Sequence, residues 1–455
     1  MTIPIRNAMP DRVSGLGVPR GMDAVRITAQ QRFARARAPL AMALLLAGCG
    51  RNAGERPARA PPQTTITALI WAPDWPEEMQ RVAAEFSREN PSIKVNLQFM
   101  IGNSVEANLK PKVAANKLPD LISINPNDYA ATLADQGVLT DVGQSAAWNN
   151  MLDTLKGDWS TAKGKHYGIA GGVAATLMYY NKEMFARAGI LAPPTDFEQF
   201  LLVCEQLKKA GFTPVMWNGG FPNILANGPF SFGFANNVIA GTPDWKARMA
   251  AGTLDLDTPR GADIFAKIKL VAARGYAQPG YMRGDYEEGI RLFTEGKTAM
   301  AFHGTWASGR LMHGKGFHTG VFIPPWNARG QTVVPVIGSE TGFAVCETKN
   351  KVAATKFLEY IFGRGFPLQQ NKRQNISPLK RVQGAVLGDP QITAYIAAVG
   401  AYPVTASPYY SFLPAGTIDM LHPLLQDVLY GKVTARQAAH DLDQSIKNEA
   451  RKTRN

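Results

Sequence analysis

Few of the side chains that could do covalent chemistry are arranged to do it. Gly296-Lys297-Thr298 ends like a phosphate-binding loop, but the glycine that should stand five positions before Gly296 is Arg291. The segment also reads helix-to-strand, the reverse of what a phosphate loop needs. Ser160-x-x-Lys163 and Ser377-x-x-Lys380 have the spacing of an acyl-transfer serine and lysine, yet no Ser-Asp-Asn or Lys-Thr-Gly accompanies them. Neither Gly-x-Ser-x-Gly nor His-Glu-x-x-His occurs. His303, His313 and His318 fit no common zinc spacing and have no cysteine nearby. The reading is therefore no catalytic residue, no metal, no cofactor and no enzyme. Cys204 and Cys346 sit among apolar neighbours and read as buried free thiols, with a disulfide between them as the alternative.

The aromatic residues say more. Several stand beside Gly, Pro or Asn where a strand gives way to a loop: Trp71-Ala-Pro-Asp-Trp75, Trp217-Asn-Gly-Gly-Phe221, Gly304-Thr-Trp306 and Pro325-Trp326-Asn327. Aromatic faces with amides and carboxylates close by suit a sugar, whose apolar C–H face stacks while its hydroxyls are hydrogen-bonded. Each Trp alone could be core packing. Their shared position after strands favours a ligand cleft.

The elements that must carry these loops alternate. Ile66–Trp71 reads as a buried strand, and Pro76–Asn90 as a helix with Met79, Val82, Ala83 and Phe86 on one face. Ile93, Val95, Leu97 and Phe99 alternate with polar residues as a half-buried strand. Leu121–Ile124 is a strand and Tyr129–Gln136 a short helix. This βαβ rhythm argues for parallel strands. The middle repeats it, with strands at Thr176–Tyr180, Lys297–His303 and Thr341–Cys346 and a helix opened by the capping box Thr195-x-x-Glu198. Two helices end the chain, one from Ile418 to Tyr430 and one opened by Thr434-x-x-Gln437.

Charge and composition narrow the compartment. The 455 residues carry 49 Lys+Arg against 36 Asp+Glu, a net +13. Of that, +5 lies in residues 1–48, which combine seven Arg with the short apolar run Pro39–Ala47. That run is too short to span a bilayer and has the layout of a secretory signal. It ends Leu46-Ala47-Gly48-Cys49, which resembles a bacterial lipobox, so Cys49 is expected to carry lipid and tie the protein to a membrane. Met1 and Met22 are both candidate starts. Residues 49–63, rich in Arg, Ala and Pro, read as a flexible tether. The remaining +8 is spread along the chain without a basic cluster interleaved with aromatics, so nucleic acid is not expected.

Five segments in order carry a resemblance: Leu118-Pro-Asp-Leu121 through Gly137-Val-Leu-Thr-Asp141; Gly164-Lys-His-Tyr-Gly168 with Met178–Phe185; Phe293–Trp306; Gly342–Phe362; and Gly431–Ala438. Together they resemble the family 1 extracellular solute-binding proteins of ABC importers, the maltose-binding-protein-like group. The resemblance implies an α/β, two-lobed type II periplasmic-binding-protein fold with a ligand cleft at a hinge. Lobe one would be 64–171 with 339–375 and lobe two 175–336 with 376–455, with hinge segments at 171–174, 337–341 and 371–378. It further implies a monomeric binder that takes up an extracytoplasmic carbohydrate-like ligand and docks on the ABC permease. Carried over by position, the ligand-binding candidates are Trp71, Trp75, Asn125, Asn127, Asp128, Tyr129, Trp217, Asn218, Phe221, Trp306, Trp326 and Glu340. The family's C-terminal aromatics have no counterpart near Ala415-Gly-Thr-Ile418. The competing expectations are a phosphorylated polyol such as a glycerophosphodiester as ligand, a secreted enzyme, or a receptor feeding a sensor kinase.

Overall fold

The computed structural model describes residues 63–72, 75–100, 104–373, 376–382 and 388–454. The leader, Cys49 and the tether fall outside them. Among the described residues nine strands are formed: β1 (Thr64–Ile70), β2 (Ile93–Phe99), β3 (Leu121–Ile124), β4 (Val173–Asn181), β5 (Val215–Met216), β6 (Met300–Gly304), β7 (Thr319–Phe322), β8 (Ile337–Ser339) and β9 (Gly342–Val345). The helices that matter for the site are α1 (Pro76–Glu89), α2 (Val105–Ala114), α3 (Asp128–Asp135), α4 (Phe197–Lys209), α5 (Trp245–Ala250), α6 (Lys351–Phe362), α7 (Pro390–Gly400), α8 (Ala415–Tyr430) and α9 (Ala435–Arg454). None of the described helices is long and apolar enough to cross a membrane.

The first lobe is built on the sheet β2-β1-β3-β9. Its first three strands are parallel and β9 joins antiparallel. α1 covers it because Met79, Val82, Ala83 and Phe86 recur at helical spacing and are all buried. Pro76 opens that helix with Glu77 and Glu78 in its first turn, where acidic side chains complement the helix dipole.

The second lobe departs from the parallel expectation. Its sheet runs β5-β6-β4-β7, and β4 is antiparallel to β6, β7 and β8; only β5 and β6 are parallel. Chain rhythm cannot report this, because a connection long enough for a parallel crossover can also join antiparallel strands. β4 is buried on both faces: Leu177 and Tyr179 enter one core cluster and Met178 the other. Helix starts are also shifted. Asp196, not Thr195, caps α4, accepting from the Gln199 N–H at 2.9 Å, while Gln199 Oε1 accepts from Thr195 N–H at 3.2 Å. The reciprocal capping logic holds one residue further on. α8 begins at Ala415, three residues before Ile418, and ends at Gly431 with φ 75. Cys204 and Cys346 are free and buried, each in a different lobe's core.

Two passages between the lobes lie side by side, with Ile376 of the first lobe paired beside them. Val173 pairs with Ser339 and donates its N–H to Ile376 O at 3.0 Å. Glu340 N–H donates to Gly172 O at 3.0 Å. The last passage falls later than 371–378. After Ile376 the chain stays on the first lobe, with Leu152 N–H donating to Pro378 O and Lys380 N–H to Asn150 O, and Leu379 enters that lobe's core. The second lobe resumes with α7, whose Ile392 and Tyr395 pack beneath β4.

Gly342 marks the tightest approach of this crossing, since a Cβ there would overlap the Ile169 carbonyl oxygen and the Trp159 ring. Gly342→Ala should lower unfolding free energy by about 1–3 kcal/mol, the usual cost of overpacking, read from urea denaturation.

Candidate functional site: a cavity between the two lobes

The cavity opens where the passages meet, and both lobes and the crossing supply its wall. The first lobe contributes Trp71 and Trp75 from the end of β1 and the start of α1, Glu106 from the first turn of α2, and Asn125 from the end of β3. The second contributes Phe221, Asn223, Asn227, Tyr286, Trp306, Tyr409, Tyr410, Ile418 and His422; the crossing adds Glu340 and Thr341. The empty space, counting its solvent mouth, is about 780 Å³. These positions follow from the fold: the loops that leave the strand ends facing the other lobe converge there.

The polar groups of the wall hold one another. Glu106 Oε1 accepts from Asn125 Nδ2 at 2.9 Å and from Asn127 Nδ2 at 2.7 Å. Thr341 Oγ1 donates to Asn125 Oδ1 at 2.6 Å, so Asn125 is fixed from the first lobe and the crossing at once. On the far side, Asn223 Nδ2 donates to the Tyr409 hydroxyl at 3.1 Å. That hydroxyl also lies within hydrogen-bonding reach of His422 Nε2, 2.8 Å away. Burial keeps this imidazole neutral, bringing its pKa down to about 4. Asn227 Nδ2 is satisfied by Asn223, while Asn227 Oδ1 is buried with no protein partner. A buried acceptor left open on a cavity wall fits a ligand hydroxyl.

The aromatics are anchored as well. The Trp306 ring lies over Gly304, where a Cβ would collide with it. The preceding Thr305 donates its hydroxyl to Val173 O at 2.9 Å and accepts from Ala175 N–H at 3.2 Å. His303 packs behind, its ring centroid 5.7 Å from Trp306 and 5.2 Å from Tyr286.

Of the residues expected from sequence, Trp71, Trp75, Asn125, Phe221, Trp306 and Glu340 come together on this wall. Others do not. Trp217 directly follows β5 and is fully buried in the second lobe's core, its backbone N–H held by Gln278 Oε1 at 2.9 Å. Asn218 is buried beside it, donating to Asp285 O at 2.6 Å. Trp326 is wedged among Phe197, Phe200 and Phe302 and does not line this cavity. Asn127 stands behind the wall as the cap of α3, accepting from Ala130 N–H at 3.1 Å. Asp128 and Tyr129 line a separate cavity. Glu106, Asn223, Asn227, Tyr286, Tyr409, Tyr410 and His422 line the wall without being among the residues expected from sequence. The Tyr409-Tyr410 pair after Pro408 was the available signal: it supplies C-terminal aromatics just ahead of the stretch where none was found. Among the described residues no cluster of three or more His, Cys, Asp or Glu could hold a metal.

Comparison with known proteins agrees with this architecture. The profile of a family described as bacterial extracellular solute-binding protein matches residues 72–365. The lactose-binding protein of Rhizobium radiobacter is 24% identical over 359 residues, covering 73% of this chain and 76% of that protein. The solute-binding protein RafE in complex with raffinose superposes with a TM-score of 0.73 at 21% identity, covering 85% of this chain and all of that one. A sugar transporter protein of Bacillus licheniformis in complex with stachyose gives 0.73 at 17% identity, covering 85% of this chain and 100% of its own.

The two buried imidazoles predict a pH response. Burial brings His303 down to about 3 and His422 to about 4 from an ordinary 6.5. Between 6.5 and about 4 the unfolded chain binds more protons, so stability is full above 6.5 and falls as pH drops. Each imidazole should contribute up to about 1.4 kcal/mol per pH unit. Urea denaturation at pH 7 and pH 4.5 should show the loss, and His422→Gln should reduce it.

Proposed function

The chain belongs to the bacterial extracellular solute-binding protein family, and from that membership we propose that it is the substrate-binding subunit of an ABC importer, capturing an extracytoplasmic sugar. The observation that carries this reading is the make-up of the cavity wall. Aromatic rings from both lobes, Trp71 and Trp75 on one and Trp306, Tyr409 and Tyr410 on the other, enclose amides, hydroxyls and carboxylates. That combination stacks on a sugar's apolar face and hydrogen-bonds its edge. The sugar-binding relatives and the raffinose- and stachyose-bound structures support the same class of ligand.

In the mechanism we infer, the two lobes close about the crossing at Val173 and Ser339, and the closed protein docks on the permease. Lipid on Cys49 would hold the binder near that partner and raise its effective concentration, with stable attachment needing several acyl chains. No covalent step is involved. A phosphorylated ligand is disfavoured by Glu106 and Glu340 on the wall, since like charges brought together repel.

Thermal-shift and calorimetric screening against mono- and oligosaccharides, polyols and glycerophosphodiesters tests the reading. A saccharide should raise the melting temperature. Trp306→Ala should weaken its binding by roughly 1–3 kcal/mol, the range for a lost stacking face. A response confined to glycerophosphodiesters would move the ligand to the phosphorylated class, and turnover of any substrate would end the binding-protein reading.

A further inference from the structure

Glu106 places a negative charge in the wall of the cavity between the lobes, with no cation paired to it among the described residues. It stands in the first turn of α2 and is only 1% exposed. Its hydrogen bonds come from neutral groups: the Asn125 and Asn127 amides on Oε1, and the Ser104 hydroxyl on Oε2 at a long 3.4 Å. Lys110, one turn further along α2, gives its ammonium to Asp419 of α8 instead, at 2.5 Å. His422, across the cavity, is kept neutral by burial. No Lys or Arg lines the cavity among the described residues. Nearby groups feel the carboxylate. Burial first, and then the Glu106 charge, pushes Tyr129 up to about 12 and Tyr409 well above an ordinary 10. A buried carboxylate without a cation is costly, and a cationic partner offsets much of that cost.

The rest of the wall is biased the same way. Its side-chain amides already donate inside the protein: Asn125 to Glu106, Asn223 to Tyr409 and Asn227 to Asn223. Asn227 Oδ1 is left as a buried acceptor with no protein partner. Trp71, Trp306 and Tyr410 line the same space, and the faces of such rings attract cations. A sugar hydroxyl offers one donor. An ammonium offers three and carries the balancing charge.

We propose that the cargo is a cationic sugar, an amino sugar whose ammonium is held by Glu106 within the aromatic wall. This rests on the sugar-binding reading above. Aromatic stacking then serves any sugar ring, and Glu106 separates an amine from a hydroxyl on it.

Calorimetry with matched sugars, at a pH where the amine is protonated, tests it. The sets are glucose, glucosamine and N-acetylglucosamine; galactose, galactosamine and N-acetylgalactosamine; and cellobiose against the glucosamine dimer. In the set that binds, the amine should bind at least about tenfold tighter than its neutral partners, the scale of one charge-assisted hydrogen bond. That preference should fade as pH rises through the amine's own pKa. Glu106→Gln, which keeps an acceptor for Asn125 and Asn127, should cut the amine-to-neutral affinity ratio about tenfold, with the melting temperature reporting that the variant is folded. Trp306→Ala should weaken both members of a pair. Neutral sugars bound as tightly as their amines, or a preference unmoved by Glu106→Gln, overturns the proposal while leaving the sugar-binding reading intact. Binding of no sugar in any set removes both.

Discussion

One set of backbone hydrogen bonds governs both the passage between lobes and the cavity. Val173 stands between Ser339 and Ile376, with Glu340 tied to Gly172. Thr305 then bonds this strand twice, through Val173 O and Ala175 N–H. Its neighbour Trp306 cannot change orientation freely, because Thr305 is tied to the crossing strand and Gly304 lies under the ring. The segments about which the lobes would turn therefore also aim the aromatic face at the ligand. Backbone bonds suit such a place: they tolerate small rotations and do not depend on the side chains that must meet the cargo.

The wall is pre-organised by the same economy of partners. Asn125 is held by Glu106 and Thr341, and Tyr409 lies between Asn223 and His422. Groups ordered before binding lose little freedom when a ligand arrives, which improves affinity without new contacts. The acceptor left open at Asn227 Oδ1 and the two wall carboxylates favour a hydroxyl-rich partner over an anion. Burial keeps His422 neutral, so the wall's hydrogen-bonding pattern is constant through the neutral range.

The sequence disclosed the parts of this design that are periodic or local. The apolar stripe of α1, the alternation of β2 and the cap at Thr434 are visible because each is written within a few residues. Trp306 was legible because Gly-Thr-Trp follows a strand. What escaped was set by tertiary pairing. Whether β4 pairs parallel or antiparallel depends on residues more than a hundred positions away. Long-range packing likewise buried Trp217 and Trp326, whose loop-like neighbours suggested exposure, and turned Tyr409 and the helical His422 toward the wall. The late third passage was hidden because Pro378–Arg381 returns to the first lobe through bonds to Leu152 and to the backbone and side chain of Asn150, partners more than two hundred positions away.

The central claim is that the lobes close on a sugar about the crossing at Val173. Spin labels at Val352 on the first lobe and Leu202 on the second, 69% and 61% exposed, would sit outside both cavities. Pulsed electron paramagnetic resonance between them, with and without a saturating saccharide identified by calorimetry, measures closure directly. The account predicts that the saccharide changes the distance distribution and narrows it to one population. An unchanged distribution under saturation would contradict it.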